Sequence, residues 1–185
     1  MEIGIIGQGF VGNAVYQKFK DYFLVDTFDL DESKCNSDLK TVMKCDTIFL
    51  CLPTPMYEDG SCNTSIVEIM LSQINAYGPN KSYDIVIKST IPPGTTQDWN
   101  ERFEKLKIVF NPEFLTEANA VSDYENQNRI ILGGPRPATT RLKRIFTKVF
   151  PKAHIIKTGS RHAEMVKYVT NAFLSTKVSF ANEMY

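Results

Sequence analysis

The sequence predicts an α/β fold: a doubly wound, mostly parallel sheet with helices on both faces, followed by a long C-terminal helix. Three observations predict it. Short β-branched runs alternate with helical segments over residues 1–159. Those runs are near-continuously apolar, as strands covered on both faces must be. A glycine turn joins the first run directly to the first helix. In such a sheet the ligand crevice is expected at the carboxyl ends of the strands.

The elements follow in order. Glu2 to Ile6 is a short apolar strand, and after the glycine turn a helix runs from about Phe10 to Lys20. Phe23 to Phe28 is the second strand, and Asp46 to Leu52 is a third that reads as buried. Ser65 to Ala76 has helical spacing, with Ile66, Ile69, Met70 and Ile74 on one face. Tyr83 to Lys88, Ile108 to Phe110, Arg129 to Leu132 and His154 to Ile156 are further strands, with helical segments between most of them. Ser160 to Tyr185 contains no Gly or Pro and reads as one helix to its last residue. Met165, Val169, Ala172, Phe173, Thr176 and Phe180 fall near one stripe of it. Without a C-cap signal, that helix reads as cut within a longer one.

Composition narrows the function. The chain has 185 residues, 43% hydrophobic and 23% charged, which is globular and long enough for a core without staples. Lys plus Arg and Asp plus Glu number 21 each, so there is no electrostatic footprint for nucleic acid or an anionic membrane. No basic leader with an apolar core opens the chain, and no run approaches the roughly 18 apolar residues of a membrane span. Cys35, Cys45, Cys51 and Cys62 form no C-x-x-C pair, and His154 and His162 lie far downstream. They read as reduced thiols of a cytoplasmic protein, with no disulfide frame and no metal site.

Gly7-Gln8-Gly9-Phe10-Val11-Gly12 is G-x-G-x-x-G between a strand and a helix, the context that a Rossmann-like dinucleotide site requires. Gly7 allows the tight turn, Gly9 lets a pyrophosphate approach the backbone, and Gly12 lets helix and strand pack closely. Asp29 ends the second strand at the spacing of a ribose-binding acid. A carboxylate there repels a 2′-phosphate, so NAD is expected over NADP. Pro53 and Pro55 stiffen the loop after the third strand. Ser89 and Thr90, after the fourth, can hold a ligand oxygen or cap the next helix. Glu113 and Glu117 lie one turn apart if a helix begins at Pro112. They serve either as dipole-favoured surface acids or as a carboxylate pair with one general base. Lys167 and Asn171 share a helical face, which is a solvated face or an oxyanion site.

The segments Gly7 to Gly12, Cys51 to Pro55 with Glu58-Asp59-Gly60, Lys88 to Thr95, Asn111 to Leu115, Asn128 to Ile131 and Glu164 to Phe173 occur in one order over nearly the whole chain. Together they resemble the UDP-glucose/GDP-mannose dehydrogenase family, the nucleotide-sugar 6-dehydrogenases. The resemblance implies NAD contacts at Gly9, Phe10, Val11, Asp29, Lys34, Pro53, Thr54, Ser89, Thr90 and Glu117. It implies that Thr90 helps order a catalytic water and that Glu113 is the base assisting thioester hydrolysis. Phe114, Leu115 and Glu117 would belong to a substrate-contacting segment with Glu113, and Lys167 and Asn171 would steady an oxyanion. The last helix resembles the family's central, dimer-building helix.

In that family an alcohol becomes a carboxylate in two NAD-dependent oxidations, through a thioester on a cysteine. That cysteine lies in a Gly-Gly-x-Cys-type segment beyond the central helix. None of the four cysteines here sits in such a segment, and the nucleotide-sugar domain is expected to be absent. The expected organisation is an NAD-binding domain over 1–159 and the start of the central helix over 160–185. The expected function is the cofactor half of a UDP-glucose 6-dehydrogenase-like enzyme, inactive alone. The expected partners are a nucleotide sugar and a second copy of the chain. Two other readings stay open: an NAD-binding or interaction module without turnover, and a β-hydroxyacid-type dehydrogenase. The Pro53-Thr54-Pro55 and Asn111 to Leu115 segments favour the nucleotide-sugar family over the latter.

Overall fold

The computed structural model describes residues 1–77 and 82–185. Seven strands form one sheet: β1 (Glu2–Ile6), β2 (Leu24–Phe28), β3 (Thr47–Leu50), β4 (Tyr83–Ile87), β5 (Leu106–Phe110), β6 (Arg129–Gly133) and β7 (His154–Thr158). Between them run α1 (Phe10–Phe19), α2 (Leu39–Val42), α3 (Ser65–Tyr77), α4 (Thr95–Arg102), α5 (Ala120–Glu125) and α6 (Arg136–Val149), and α7 (Ser160–Met184) follows β7. The fold is the Rossmann-like, doubly wound α/β architecture that the sequence predicts.

The strand order is β2-β1-β3-β4-β5-β6-β7. From β1 the chain goes to one side for β2 and to the other for β3, so the loops leaving β1 and β3 diverge and open a crevice. All neighbouring pairs are parallel except β5 and β6, which meet antiparallel through Phe110 and Gly133. Between β5 and β6 the chain forms a short 3₁₀ turn and α5, and β6 then runs back against β5.

The central strands alternate their side chains between two cores. Ile48, Leu50, Ile85, Ile87, Ile108 and Phe110 enter one, with Val67, Leu71 and Ile74 of α3 and Trp99 of α4. Phe49, Val86 and Val109 enter the other, with Phe19 of α1 and Leu142 and Phe146 of α6. Each fully buried side chain of this size contributes roughly 1.5–3 kcal/mol. Phe19 sets its ring edge against Phe49 and Phe146 at centroid distances of 5.2 and 5.7 Å.

One predicted face is corrected. Helix α3 buries Val67, Leu71 and Ile74, whereas Ile69 is 58% exposed and Ile66 is also exposed. Apolar residues occupy both stripes of this helix, so spacing alone cannot choose its rotation; only Ile74 and, in part, Met70 of the predicted set pack on the core.

Helix α7 docks only by its first turns, where Ala163, Glu164 and Lys167 are buried. Ala163 lies where a Cβ on Gly133 would stand 2.3 Å from its own Cβ, so glycine there lets the helix approach β6. Beyond it the predicted stripe is open: Met165, Val169, Phe173 and Phe180 are 46, 57, 62 and 66% exposed. Among the described residues no helix is long and apolar enough to cross a membrane.

Candidate active site

The loop after β1 is built by close approach. Gly7 has φ +93°, and a Cβ on it would stand 2.4 Å from the Cys51 carbonyl oxygen. A Cβ on Gly12 would stand 1.8 Å from the Gly7 carbonyl oxygen, so α1 begins directly against the strand end. Gly9 differs: nothing lies within 4 Å of its Cβ position. It opens α1, whose first turn has no side-chain cap and no acidic residue. The exposed N–H groups and the positive end of the helix therefore face open space, as an anion site requires.

Asp29 lies beside this loop at the end of β2. Its carboxylate accepts from the Gln8 amide at 2.5 Å and the Asp31 amide at 3.0 Å. Partial burial opposes its charge, but those two amides and the charge of Lys34 outweigh it and hold the carboxyl below its usual range. Lys34 pairs with Asp31 at 3.0 Å. Gly9, Phe10, Lys34 and Cys35 help line a cavity of about 650 Å³ here. Cys35 and Asn36 escaped the sequence reading. Asn36 accepts from the Thr27 amide at 2.6 Å, and the Cys35 thiol donates to the Asp29 carbonyl at 3.2 Å, so the two tie this loop to β2. Only the strand pairing reveals them.

A smaller cavity of about 210 Å³ lies across the crevice, lined by Val11, Cys51, Leu52, Pro53, Thr54, Lys88, Ser89, Thr90 and Glu113. It brings together the first turn of α1 and the loops that follow β3, β4 and β5. The Ser89 hydroxyl donates to the Leu52 carbonyl at 2.6 Å and accepts from the Leu52 amide at 3.1 Å, and Thr54 donates to the Thr90 carbonyl at 2.8 Å. Ser89 thus stitches the two loops and does not cap α4, the alternative open to it in the sequence. The Thr90 hydroxyl makes no hydrogen bond among the described residues and can hold a water or ligand oxygen. Burial pushes the Cys51 thiol up to about 12, so it stays neutral.

The segment after β5 corrects a second expectation. No helix starts at Pro112; residues 111–116 are irregular, and a 3₁₀ turn occupies Glu117–Asn119. The Glu113 carboxylate itself accepts the Leu115 amide at 3.2 Å, which opposes a helical continuation. Glu113 and Glu117 are therefore not neighbours on a helix face, and the Glu117 side chain lies outside the described part. Lys167 reaches Glu113 from α7, at 2.9 Å to the carboxylate and 2.8 Å to the backbone carbonyl. Both side chains are largely buried. The Lys167 ammonium also stands 5.9 Å from the centre of the Phe114 ring, over which Arg129 lies at 4.9 Å.

Two further buried residues set this geometry. Glu164 is fully buried, and its carboxylate accepts from the Gly94 and Thr96 amides at 2.6 and 2.8 Å. It supplies the cap of α4 from α7, and so fixes α7 with Lys167 one turn further on. Lys88 donates to Asn111 Oδ1 at 3.0 Å, and Asn111 donates to the Ile131 carbonyl at 2.8 Å, which anchors the segment leading to Glu113. Asn171 is exposed, one turn beyond Lys167. Among the described residues no cluster of His, Cys, Asp and Glu is arranged to hold a metal ion.

Comparison with known proteins shows the family. The NAD binding domain of the UDP-glucose/GDP-mannose dehydrogenase family matches residues 21–151. The chain belongs to this family. The family's central domain matches residues 161–185. Among curated relatives, UDP-glucose 6-dehydrogenase AglM of Haloferax volcanii is 30% identical over all of this chain and 54% of its own length. UDP-glucose 6-dehydrogenase of Pseudomonas aeruginosa is 35% identical over 75% of this chain and 33% of its own. Among solved structures, a UDP-glucose dehydrogenase from Pyrobaculum islandicum superposes with a TM-score of 0.87 and 26% identity, over 99% of this chain and 52% of its own. The chain spans about half the length of relatives such as the Haloferax protein. As a family member it takes NAD as its cofactor, and the residues present fit that group. The open space at Gly9 and the uncapped α1 suit a pyrophosphate, and the Asp29 carboxylate suits a ribose.

Proposed function

We propose that residues 1–159 hold NAD and, with the start of a central helix over 160–185, supply part of the catalytic shell of a nucleotide-sugar 6-dehydrogenase. UDP-glucose or a related nucleotide sugar is the substrate class. The observation that carries this reading is the small cavity, where Thr90 and Glu113 meet the glycine loop through Val11 and Lys167 pairs with Glu113. Bound NAD supplies the hydride acceptor. Gly7, Gly9, Phe10 and Gly12 shape the pyrophosphate cradle, and Asp29 and Lys34 the adenosine end. Val11, Pro53, Thr54, Ser89 and Thr90 border the nicotinamide subsite in the small cavity. The Thr90 hydroxyl orders water, and Glu113 takes its proton. Lys167, with Asn171, neutralises charge that develops on a substrate oxygen. Phe114, Leu115 and Glu117 belong to the segment that meets the sugar.

Oxidation to a carboxylate needs a nucleophile to hold the aldehyde, a cysteine thiolate in this family, and Cys51, the thiol lining this cavity, is held neutral. We therefore expect residues 1–185 to bind NAD without turning over nucleotide sugars. NADH absorbance with a panel of nucleotide sugars at high protein concentration tests this; sustained release of two NADH per sugar would sink it. The apolar stripe on α7 is the contact for a second copy, in a two-fold dimer. Sedimentation should show self-association, lost in Phe173→Asp; a monomer at high concentration would count against the assignment.

A further inference from the structure

Lys88 is 3% exposed and lines the small cavity, yet it is bonded only to an uncharged group. Its ammonium donates to the Asn111 carboxamide and stands 5.4 Å from the centre of the Tyr124 ring. Among the described residues no carboxylate lies within ion-pair distance of it. The charged carboxylate of this wall, Glu113, is already taken by Lys167. With Lys88 protonated, the cavity wall carries an ammonium group whose nearest carboxylate, Glu113, is already matched by Lys167 behind it.

We infer that Lys88 makes this site discriminate between the two redox states of the cofactor, favouring the uncharged reduced nicotinamide over the cationic oxidised ring. The inference rests on the nicotinamide subsite proposed above. The charged and titratable groups facing Lys88 are Cys51 from the β3 loop, Tyr124 from α5, Glu113 from the β5 loop and Lys167 from α7. Burial holds the Cys51 thiol and the Tyr124 phenol in their neutral forms. Burial also draws the Lys88 ammonium down to about 8, against the pull of Glu113, so its charge switches within an accessible pH range. Below that range NAD⁺ meets a like charge, or binds with release of the Lys88 proton. Above it the amine is neutral and the repulsion is gone. NADH meets neither condition, because its ring carries no charge.

The test is calorimetric titration of the 185-residue chain with NAD⁺ and NADH at about pH 6.5 and about pH 9, on either side of that transition. NAD⁺ affinity should rise about tenfold across this range, and NADH affinity should change less than about twofold. The phosphates and adenosine are common to both ligands, so their titrations cancel in the comparison. NAD⁺ binding near pH 7.5 should release about half a proton, visible as a heat that varies with the buffer. Lys88→Met should bind NAD⁺ with the higher affinity at both pH values, and Lys88→Arg with the lower affinity at both. Should the methionine variant not fold, the arginine variant and the unmutated comparison still decide. Equal pH slopes for the two cofactors, or a slope that survives in Lys88→Met, would overturn the role of Lys88. Binding of neither cofactor would overturn the subsite itself along with it.

Discussion

Alanine at Gly9 and alanine at Gly12 are expected to fail in opposite ways. A Cβ on Gly12 falls 1.8 Å from the Gly7 carbonyl oxygen, a backbone atom that cannot turn aside. Helix α1 must lift from the strand end, at a cost of about 3 kcal/mol or more. Chemical denaturation should show that loss, and NAD binding should disappear with it. Gly9 has extended backbone with φ −70° and nothing near its Cβ position. Gly9→Ala should therefore unfold within about 0.5 kcal/mol of the unmutated chain. Its NAD affinity should nevertheless fall at least about tenfold, because the methyl group enters the space a pyrophosphate needs. A Gly9→Ala protein that binds NAD normally would show that the phosphates lie elsewhere.

Asp29→Ala is the second large effect. The unmutated chain should bind NAD at least about tenfold more tightly than NADP, because a carboxylate repels the 2′-phosphate and accepts from a ribose hydroxyl. Removing it should weaken NAD binding and erase most of the preference. Asp29 also braces the Gln8 and Asp31 amides. Asp29→Asn, which keeps an acceptor there, separates the bracing from the charge. Calorimetry with both cofactors reads the ratio directly. Equal affinity for NAD and NADP in the unmutated protein would remove Asp29 from the ribose site.

What could be read from the sequence was local. Gly7, Gly12 and Asp29 obey rules of backbone sterics and short spacing, and the fold puts them side by side. The long helix also announces itself, since nothing between Ser160 and Tyr185 interrupts it. What could not be read depends on strand order and competition. The antiparallel return of β6 has no local signal: its connection, residues 111–128, is as long as residues 88–105, which join the parallel pair β4 and β5. A helix from Pro112, the condition for pairing Glu113 with Glu117, does not form, and the Glu113 carboxylate occupies the Leu115 amide instead. The rotation of α3 is undecided until β4 and β5 present their side chains. Lys88, Asn111 and Glu164 each lie within a recognised segment, yet their partners are far away in the chain. The Glu164 carboxylate bonds amides 70 and 68 positions distant.

The short anchorage of α7 has a mechanical consequence. The helix is a cantilever: its root is seated by Ala163 against Gly133, by Glu164 on the end of α4 and by Lys167 on Glu113, and everything from Asn171 onward stands clear of the domain. At about 1.5 Å per residue the free arm is about 20 Å long. A load on that arm is delivered as torque at its root, where the Lys167–Glu113 contact borders the small cavity. A coupling carried through that root, between whatever grips the arm and whatever fills the cavity, would be reciprocal, each changing the affinity for the other by the same factor.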